Sequence, residues 1–155
     1  MGLADGAEWR PAACSEKRRQ VTGADPLVAV VDDDASVRNG LGRLLRACQY
    51  AVCVFGSAEE FLASPGADEY GCAIVDVRMP GIDGIELQQR LAASHPRLPV
   101  IIITGHDDPT VPVRAAQGGA IAVLQKPISR EALMAAIREA LAAGRRRSHN
   151  GGQTS

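Results

Sequence analysis

Short apolar runs alternate with amphipathic segments from about residue 26 to residue 144. Continuous runs rich in Val, Ile, Leu and Ala are typical of strands that are buried on both faces of a sheet. Apolar residues spaced three or four apart predict helices that pack against such a sheet. The predicted strands are 27–31, 51–55, 71–76, 99–104 and 120–124, and the predicted helices are 35–47, 58–62, 84–93, 110–117 and 130–143.

Polar residues at the predicted helix starts support these boundaries. Asp34, Ser57, Asp83 and Ser129 each stand directly before a helical segment, where a side-chain oxygen can accept a hydrogen bond from a first-turn N–H. Glu60 lies three residues after Ser57, the spacing of a capping box. Gly144 follows the last helical segment, and since glycine commonly ends helices, that helix is predicted to stop there.

Five strands that alternate with helices indicate an α/β fold. Because crossovers between parallel strands are right-handed, the helices should cover both faces of one parallel sheet. A doubly wound, flavodoxin-like sheet of five strands in the order 2-1-3-4-5 fits the pattern, with its switch point between strands one and three. Ligands of such sheets bind beside that point, at the carboxyl ends of the strands.

The two ends of the chain are not predicted to belong to the domain at 26–144. Residues 1–25 mix Ala, Gly, Pro and charged residues without periodicity, which is typical of a disordered leader. Residues 145–155 begin with three arginines and continue with small polar residues, so we expect a disordered basic and polar tail.

Composition argues against several classes of function. The 155 residues carry a formal net charge of −1, which gives no bulk attraction to nucleic acid or to a membrane surface. No apolar stretch approaches the roughly 20 residues that span a bilayer, and the first residues lack the pattern of a signal peptide. The cysteines and histidines lack the spacing of a zinc site. We therefore expect a cytoplasmic protein without membrane or nucleic-acid partners.

Polar residues with related chemistry follow four of the predicted strands. Asp32 and Asp33 follow strand one, Asp76 ends strand three, Thr104 ends strand four and Lys126 comes shortly after strand five. Because the carboxyl ends of parallel strands meet at one edge, these side chains should share a crevice. Clustered carboxylates repel one another unless a cation is present, and a hydroxyl and an amine suit the oxygens of a phosphoryl group. The pattern predicts a site for a cation and a phosphoryl group.

These residues lie in motifs that resemble the receiver domain of two-component response regulators, over about residues 27–143. The sequence of these motifs is most similar to that of the nitrogen-fixation and nodulation regulators, which usually carry a helix-turn-helix output domain. We expect no such domain here, so the resemblance implies a single-domain regulator. The matching stretches, in the order and spacing of the family, are Val-Val-Asp-Asp-Asp (30–34), Asp-Val-Arg-Met-Pro-Gly-Ile-Asp-Gly (76–84), Ile-Ile-Ile-Thr-Gly-His (101–106) and Lys-Pro (126–127).

The resemblance implies that Asp76 accepts a phosphoryl group from a phosphohistidine of a partner kinase. Mg²⁺ is the implied cofactor, since it prefers oxygen ligands in octahedral geometry and keeps several waters. Asp33, Asp76 and the backbone carbonyl of Arg78 would bind the ion directly, and Asp32 would bind it through a water.

The resemblance also implies which groups would bind the phosphoryl oxygens. Thr104 would donate a hydrogen bond to one oxygen, and Lys126 would pair with another. The backbone N–H groups of Val77 and Gly105 are expected to face the phosphoryl group as well. Pro127 is expected to follow a cis peptide bond.

Two positions depart from the family's pattern. Many receivers carry Tyr or Phe three residues before the site lysine, and its ring moves inward on activation. Here that switch position is Val123, whose branched side chain has one preferred χ1 and no ring. Arg78 stands two residues after the acceptor, beside the expected path of the attacking water, and we expect it to slow autodephosphorylation.

The resemblance implies that the protein acts through protein partners. A sensor histidine kinase or a phosphotransfer protein would donate the phosphoryl group and dock on the helix at 35–47. An unidentified downstream protein would bind the face made by the last two helices and strand five, which would also suit a homodimer. A monomer and a phosphate sink without a dedicated output remain alternatives.

Two other functions compete with this interpretation. A Mg²⁺-dependent aspartyl-phosphate hydrolase of the haloacid dehalogenase kind uses similar residue types. Those enzymes place the nucleophile on the first strand in an Asp-x-Asp pattern, whereas strand one here ends in adjacent aspartates. A nucleic-acid module would depend on the basic triplets at 17–19 and 145–147, which no aromatic platform accompanies. We predict a receiver that catalyses its own phosphorylation and slow autodephosphorylation, and is otherwise not an enzyme.

Overall fold

The computed structural model describes residues 27–105 and 108–154, with only the backbone described for residue 68 and for 145–154. The predicted leader at 1–25 lies outside the described residues. The strands are β1 (Leu27–Val31), β2 (Ala51–Phe55), β3 (Cys72–Asp76), β4 (Val100–Thr104) and β5 (Ala122–Gln125). The helices are α1 (Ala35–Ala47), α2 (Ala58–Ala63), α3 (Gly84–Ser94), α4 (Thr110–Gln117) and α5 (Arg130–Thr154), and a 3₁₀ turn at Ala67–Glu69 precedes β3.

All five strands are parallel and lie in the order β2-β1-β3-β4-β5, which confirms the predicted doubly wound sheet. The register pairs Val31 of β1 with Val75 of β3. The next residues, Asp32 directly after β1 and Asp76 at the end of β3, therefore emerge side by side at the switch point. On the other side of β3, Asp76 pairs with Ile103, one residue before Thr104.

The sheet separates two apolar layers, because successive side chains of a strand point to opposite faces. Val28 and Val30 of β1 lie in the layer under α1 and α5, while Ala29 and Val31 lie in the layer under α2, α3 and α4. The strand interiors β1, β3 and β4 are buried throughout. This burial on both faces explains why their sequences are continuous apolar runs rather than alternating ones.

The few aromatic residues of the core gather at α2. The ring of Phe61 lies with its centroid 5.0 Å from that of Phe55 and 5.8 Å from that of Tyr70. Edge-on and tilted aromatic contacts of this kind add to the apolar area they bury. They hold α2, a helix of only six residues, firmly against the sheet.

The predicted helix caps are present. Oδ1 of Asp34 accepts from the Ser36 N–H at 2.9 Å, and Oδ1 of Asp83 accepts from the Glu86 N–H at 2.8 Å. The hydroxyl oxygens of Ser57 and Ser129 accept from the N–H groups three residues on, each at 3.0 Å. The reciprocal half of the predicted capping box is wrong: the Glu60 carboxylate accepts from the Gly56 N–H at 2.8 Å instead of from that of Ser57.

The last helix continues past Gly144 to Thr154, so the predicted helix end at Gly144 is wrong for the backbone. That residues 145–155 form a tail outside the domain stays a prediction. A glycine within a helix costs only about 1 kcal/mol, and the arginines that follow are good helix formers. Gly144 has a packing role instead. A Cβ atom there would lie 3.2 Å from Cγ of Pro99 and 3.5 Å from the Gly71 carbonyl oxygen.

None of the helices in the described part of the chain is long and apolar enough to cross a membrane.

Gln88 of α3 is the notable polar side chain in the layer between α3 and α4, since only 2% of its surface is exposed. Its Nε2 donates to the Ala115 carbonyl of α4 at 2.8 Å. The hydrogen bond joins α3, which follows β3, to α4, which follows β4.

Gly84, the first residue of α3, allows that helix to start directly against the end of β3. A Cβ atom there would overlap the carbonyl oxygen of Asp76 and lie 2.8 Å from the Cα of Val77. We expect Gly84→Ala to lower the free energy of unfolding by about 1–3 kcal/mol, because backbone must shift to make room. Urea unfolding monitored by circular dichroism measures this change.

Gly40→Ala is the matched control, because Gly40 also lies in a helix and a Cβ atom there would meet nothing within 4 Å. We expect it to raise the free energy of unfolding by about 0.5–1 kcal/mol through helix propensity alone. Equal effects of the two substitutions would contradict the close approach at Gly84.

Candidate functional site

Three carboxylates meet at the carboxyl ends of β1 and β3. Asp32, Asp33 and Asp76 each place one carboxylate oxygen within 4.8 Å of the others. Asp32 and Asp76 are buried, with 1% and 4% of their surface exposed, whereas Asp33 is exposed. The structure thus brings together the acidic residues that the sequence placed in one crevice.

Lys126 lies against two of these carboxylates. Its Nζ is 3.0 Å from Oδ1 of Asp76 and 3.6 Å from Oδ2 of Asp32. The lysine backbone is fixed as well, since its N–H donates to the Thr104 carbonyl at 2.9 Å and the Lys126–Pro127 peptide bond is cis. The ammonium group of Lys126, whose side chain is one-third exposed, therefore covers the acidic crevice from the β5 side.

Burial is the main influence on the charges of the site. It raises the pKa of both Asp32 and Asp76, and although Lys126 acts in the opposite direction, both pKa values stay above the ordinary range. Burial by itself would lower the pKa of Lys126, but the hydrogen bond to Asp76 and the two carboxylate charges hold it above its usual value. The site therefore carries more buried negative charge than one lysine compensates.

The hydrogen bonds of Asp32 leave one carboxylate oxygen available. Oδ1 accepts from the Asp34 N–H at 2.9 Å, but the buried Oδ2 has no hydrogen-bond partner among the described residues. The Asp32 backbone is held on both sides, because its N–H donates to the Phe55 carbonyl at 3.1 Å and its carbonyl accepts from Nη1 of Arg38 at 2.7 Å. A rigid, oxygen-only, under-compensated cluster fits Mg²⁺, a hard cation that prefers oxygen ligands.

Thr104 ends β4 and is buried, with 5% of its surface exposed. Its Oγ1 donates to the Gly105 carbonyl at 2.7 Å.

The expectation that the Val77 N–H faces the site is wrong, because this group donates to the Ile103 carbonyl at 3.0 Å and extends the β3–β4 pairing. Val123, the switch position, is half-buried and packs against the layer under α3 and α4.

An open pocket of about 520 Å³ lies beside the crevice. Thr104 and the exposed Arg78 belong to its lining, and Arg114 of α4 adds a second guanidinium. Asp83 and Asp108 also line the pocket, so its charge is mixed rather than basic. Its lining comprises Val77, Arg78, Met79, Pro80, Asp83, Thr104, Asp108, Val111 and Arg114.

Two residues that touch the loops of the site were not found from the sequence. Arg38 binds the Asp32 carbonyl, and Glu59 accepts a hydrogen bond from the Ile82 N–H at 3.2 Å. In the sequence both are ordinary charged residues of predicted helices. For Arg38 the sequence did hold a signal of this contact. It lies about one turn into the helix after Asp32 and Asp33, where a side chain can reach back to the end of β1.

The chain matches the family described as response regulator receiver domain over residues 28–138. The transcriptional regulatory protein FixJ of Bradyrhizobium diazoefficiens is 43% identical over 115 residues, which cover 74% of this chain and 56% of FixJ. Nodulation protein W of the same organism is 41% identical over 121 residues, which cover 78% of this chain and 53% of that protein. The chain thus spans about half the length of these relatives.

Solved structures agree with this match. The response regulator StyR superposes with a TM-score of 0.78 at 42% identity, over 84% of this chain and 66% of the StyR chain. FixJ-N superposes with a TM-score of 0.70 at 36% identity, over 76% of this chain and 94% of that chain.

Asp33→Asn is expected to raise the Kd for Mg²⁺ at least about tenfold, because the exposed member of the cluster loses its charge. Isothermal titration calorimetry in chelator-treated protein measures the Kd. Asp34→Asn is the matched control: it removes a charge one residue away, and Asn still caps α1. We expect it to change the Kd less than threefold. An equal loss in both variants would mean that general charge, not ligation by Asp33, controls affinity.

Proposed function

This chain belongs to the response regulator receiver domain family, as the sequence predicted, and from that premise we propose that Asp76 accepts a phosphoryl group with the help of Mg²⁺. The observation that carries the proposal is the position of Asp76. Its carboxylate lies in a buried acidic cluster and within 3.0 Å of Nζ of Lys126. Receiver domains interact with histidine kinases, and we propose a phosphohistidine of such a kinase, or of a phosphotransfer protein, as the donor.

The chemistry asks for a carboxylate nucleophile held in place and for compensation of charge. An oxygen of Asp76 would attack the phosphorus, so that the new P–O bond forms as the P–N bond to the donor imidazole breaks. The imidazole nitrogen leaves with the bond's electron pair and takes up a proton from solvent. Asp76 attacks as an ionised carboxylate. Lys126 would then move its hydrogen bond from Asp76 to the arriving phosphoryl group.

The surrounding residues have separate parts in this step. Asp33, the Asp76 carboxylate and the Arg78 carbonyl would hold Mg²⁺, and Asp32 would hold it through a water. The ion would neutralise charge on the transferred group and on the carboxylates. Lys126 would neutralise a further phosphoryl oxygen. Thr104 would turn its hydroxyl from the Gly105 carbonyl towards the phosphoryl group, which is a rotation of one side chain.

We propose that the output surface is the face made by α4, β5 and α5. β5 is an edge strand whose residues Ala122, Val123 and Leu124 are only half-buried. Val113 of α4, 57% exposed, is the large apolar side chain most open to solvent in the described part of the chain. A half-covered edge strand beside an exposed apolar residue suits a protein partner, either a downstream protein or a second copy of this chain.

The phosphoacceptor assignment predicts a gain of one phosphoryl group on incubation with acetyl phosphate and Mg²⁺. Intact mass spectrometry should show the gain in the wild type and its absence in Asp76→Asn or in the presence of chelator. Asp83→Asn is the matched control, since Asp83 is an acidic residue of the same connection that caps α3 and Asn can also cap. It should be phosphorylated like the wild type. Gain in Asp76→Asn would sink the assignment.

Arg78 is exposed two residues after the acceptor, and we propose that it shields the acyl phosphate from water. Arg78→Asn should shorten the half-life of the phosphorylated protein about two- to tenfold, which corresponds to about 0.4–1.4 kcal/mol in the hydrolytic barrier. The decay of the phosphorylated mass with time measures this. Arg114→Asn removes the other guanidinium of the same pocket and should leave the half-life within about twofold. A longer half-life in Arg78→Asn would refute the shielding.

Val123 has no ring that could move when Thr104 turns, so we propose that phosphorylation causes only a muted rearrangement of the output surface. Amide chemical shifts measured with and without a phosphoryl mimic should change mainly at the site itself. Large changes throughout residues 111–133 would contradict the proposal, since they would require a second route from the site to α4 and β5.

A further inference from the structure

The short helix α2 contacts the connection between β3 and α3, which we call the acceptor loop (residues 77–83). Oε2 of Glu59 accepts from the Ile82 N–H at 3.2 Å, across 23 residues of sequence. Gly81 precedes Ile82 with a φ of 77°, in the region that favours glycine. A Cβ atom on Gly81 would lie 2.5 Å from the same Glu59 oxygen, so the carboxylate occupies the space that a side chain would need.

The start of α2 is tied to the end of β2, which is in turn joined to the end of β1. Oε1 of Glu60 accepts from the Gly56 N–H at 2.8 Å, and the Asp32 N–H donates to the Phe55 carbonyl at 3.1 Å. A Cβ atom on Gly56 would lie 3.3 Å from Oε1 of Glu60 and from Nη1 of Arg38, the group that donates to the Asp32 carbonyl. Through Phe55 and Gly56, α2 is therefore connected to the strand end that carries Asp32 and Asp33.

α2 has the rigidity that a link between two loops requires. Phe61 on its inner face is 1% exposed and packs on Phe55 of β2 and on Tyr70 before β3. The helix is held at its start by Ser57, whose hydroxyl oxygen accepts from the Glu60 N–H. A side chain anchored on this helix can hold a neighbouring loop at a constant distance from β1.

We propose that Glu59 is a positioning residue of the cation site, which holds the acceptor loop so that the Arg78 carbonyl stays opposite Asp33. The inference rests on the proposed function, because it concerns the same ligands. The acceptor loop begins directly after Asp76, and its start is fixed by the sheet-like hydrogen bond from Val77 to Ile103. Its end is fixed by the Asp83 cap of α3. Between these points the hydrogen bond from the Ile82 N–H to Glu59 ties the loop to α2.

Glu59→Ala is expected to release the loop. The Ile82 amide should exchange with solvent faster in the Mg²⁺-free protein, and the Kd for Mg²⁺ should rise about three- to tenfold, as the loss of one hydrogen bond to a charged acceptor implies. Hydrogen exchange by NMR and calorimetric titration measure the two effects. The exchange measurement does not depend on phosphorylation or on bound metal.

Glu59→Gln separates the hydrogen bond from the charge. Gln keeps an oxygen that can accept from Ile82 but removes the negative charge, so we expect a Kd within about twofold of the wild type. Glu86→Ala is the control for loss of an exposed glutamate, since Glu86 pairs with Arg90 on the outer side of α3. It should leave both the Ile82 exchange rate and the Kd unchanged.

Gly81→Ala should reproduce the effect of Glu59→Ala, because the Cβ of the new alanine would displace the Glu59 carboxylate.

The failures of the two proposals are distinguishable. A wild-type protein that binds Mg²⁺ and becomes phosphorylated, together with a Glu59→Ala variant of unchanged Kd, would overturn the positioning role alone. A Glu59→Gln variant as weak as Glu59→Ala would also overturn it, since charge rather than the hydrogen bond would then act. A wild-type protein that binds no Mg²⁺ would overturn the proposed function and this inference with it.

Discussion

The concentration of negative charge at the carboxyl ends of β1 and β3 is the constraint on which the rest of the site depends. Two buried carboxylates and one exposed carboxylate lie within 4.8 Å of one another, and one partly exposed lysine faces them. Burial raises the pKa of Asp32 and Asp76 despite that lysine. Such an arrangement is unfavourable for the protein by itself and becomes less so when a cation lies against the carboxylates.

The rigidity of the sheet is what allows the charges to stay together. β1 and β3 are adjacent, parallel and buried on both faces, so the aspartates after them cannot separate without disturbing both apolar layers. The surrounding loops are held by single polar contacts instead: Arg38 to Asp32, Glu59 to Ile82 and Lys126 to Asp76. Strands therefore fix the carboxylates, while individual side chains adjust the loops around them.

Most of the fold was predictable from local pattern. The continuous apolar runs were strands because parallel strands are buried on both faces, and the polar caps Asp34, Ser57, Asp83 and Ser129 marked helix starts correctly. The errors at Gly144 and Val77 arose where a contact distant in sequence decides, whereas the error at Glu60 is a choice between two neighbouring N–H groups. Gly144 was predicted to end a helix, but it lets α5 pass close to Pro99. Glu60 was predicted to complete a capping box, but its carboxylate accepts from Gly56 instead. The Val77 N–H continues the pairing with β4 and does not face the site.

The sequence by itself determined the class of fold, the strand order and the meeting of Asp32, Asp33, Asp76 and Lys126. It could do so because strand and helix periodicity are local properties, and because parallel connectivity places all strand ends at one edge. Only the tertiary structure decided which oxygen of Asp32 is left without a hydrogen bond, how closely Lys126 approaches Asp76, and that Glu59 and Arg38 hold the loops. The reason is physical: exact distances and hydrogen-bond partners, such as the Glu59–Ile82 pair 23 residues apart, depend on how whole elements pack, and a local pattern does not specify that packing.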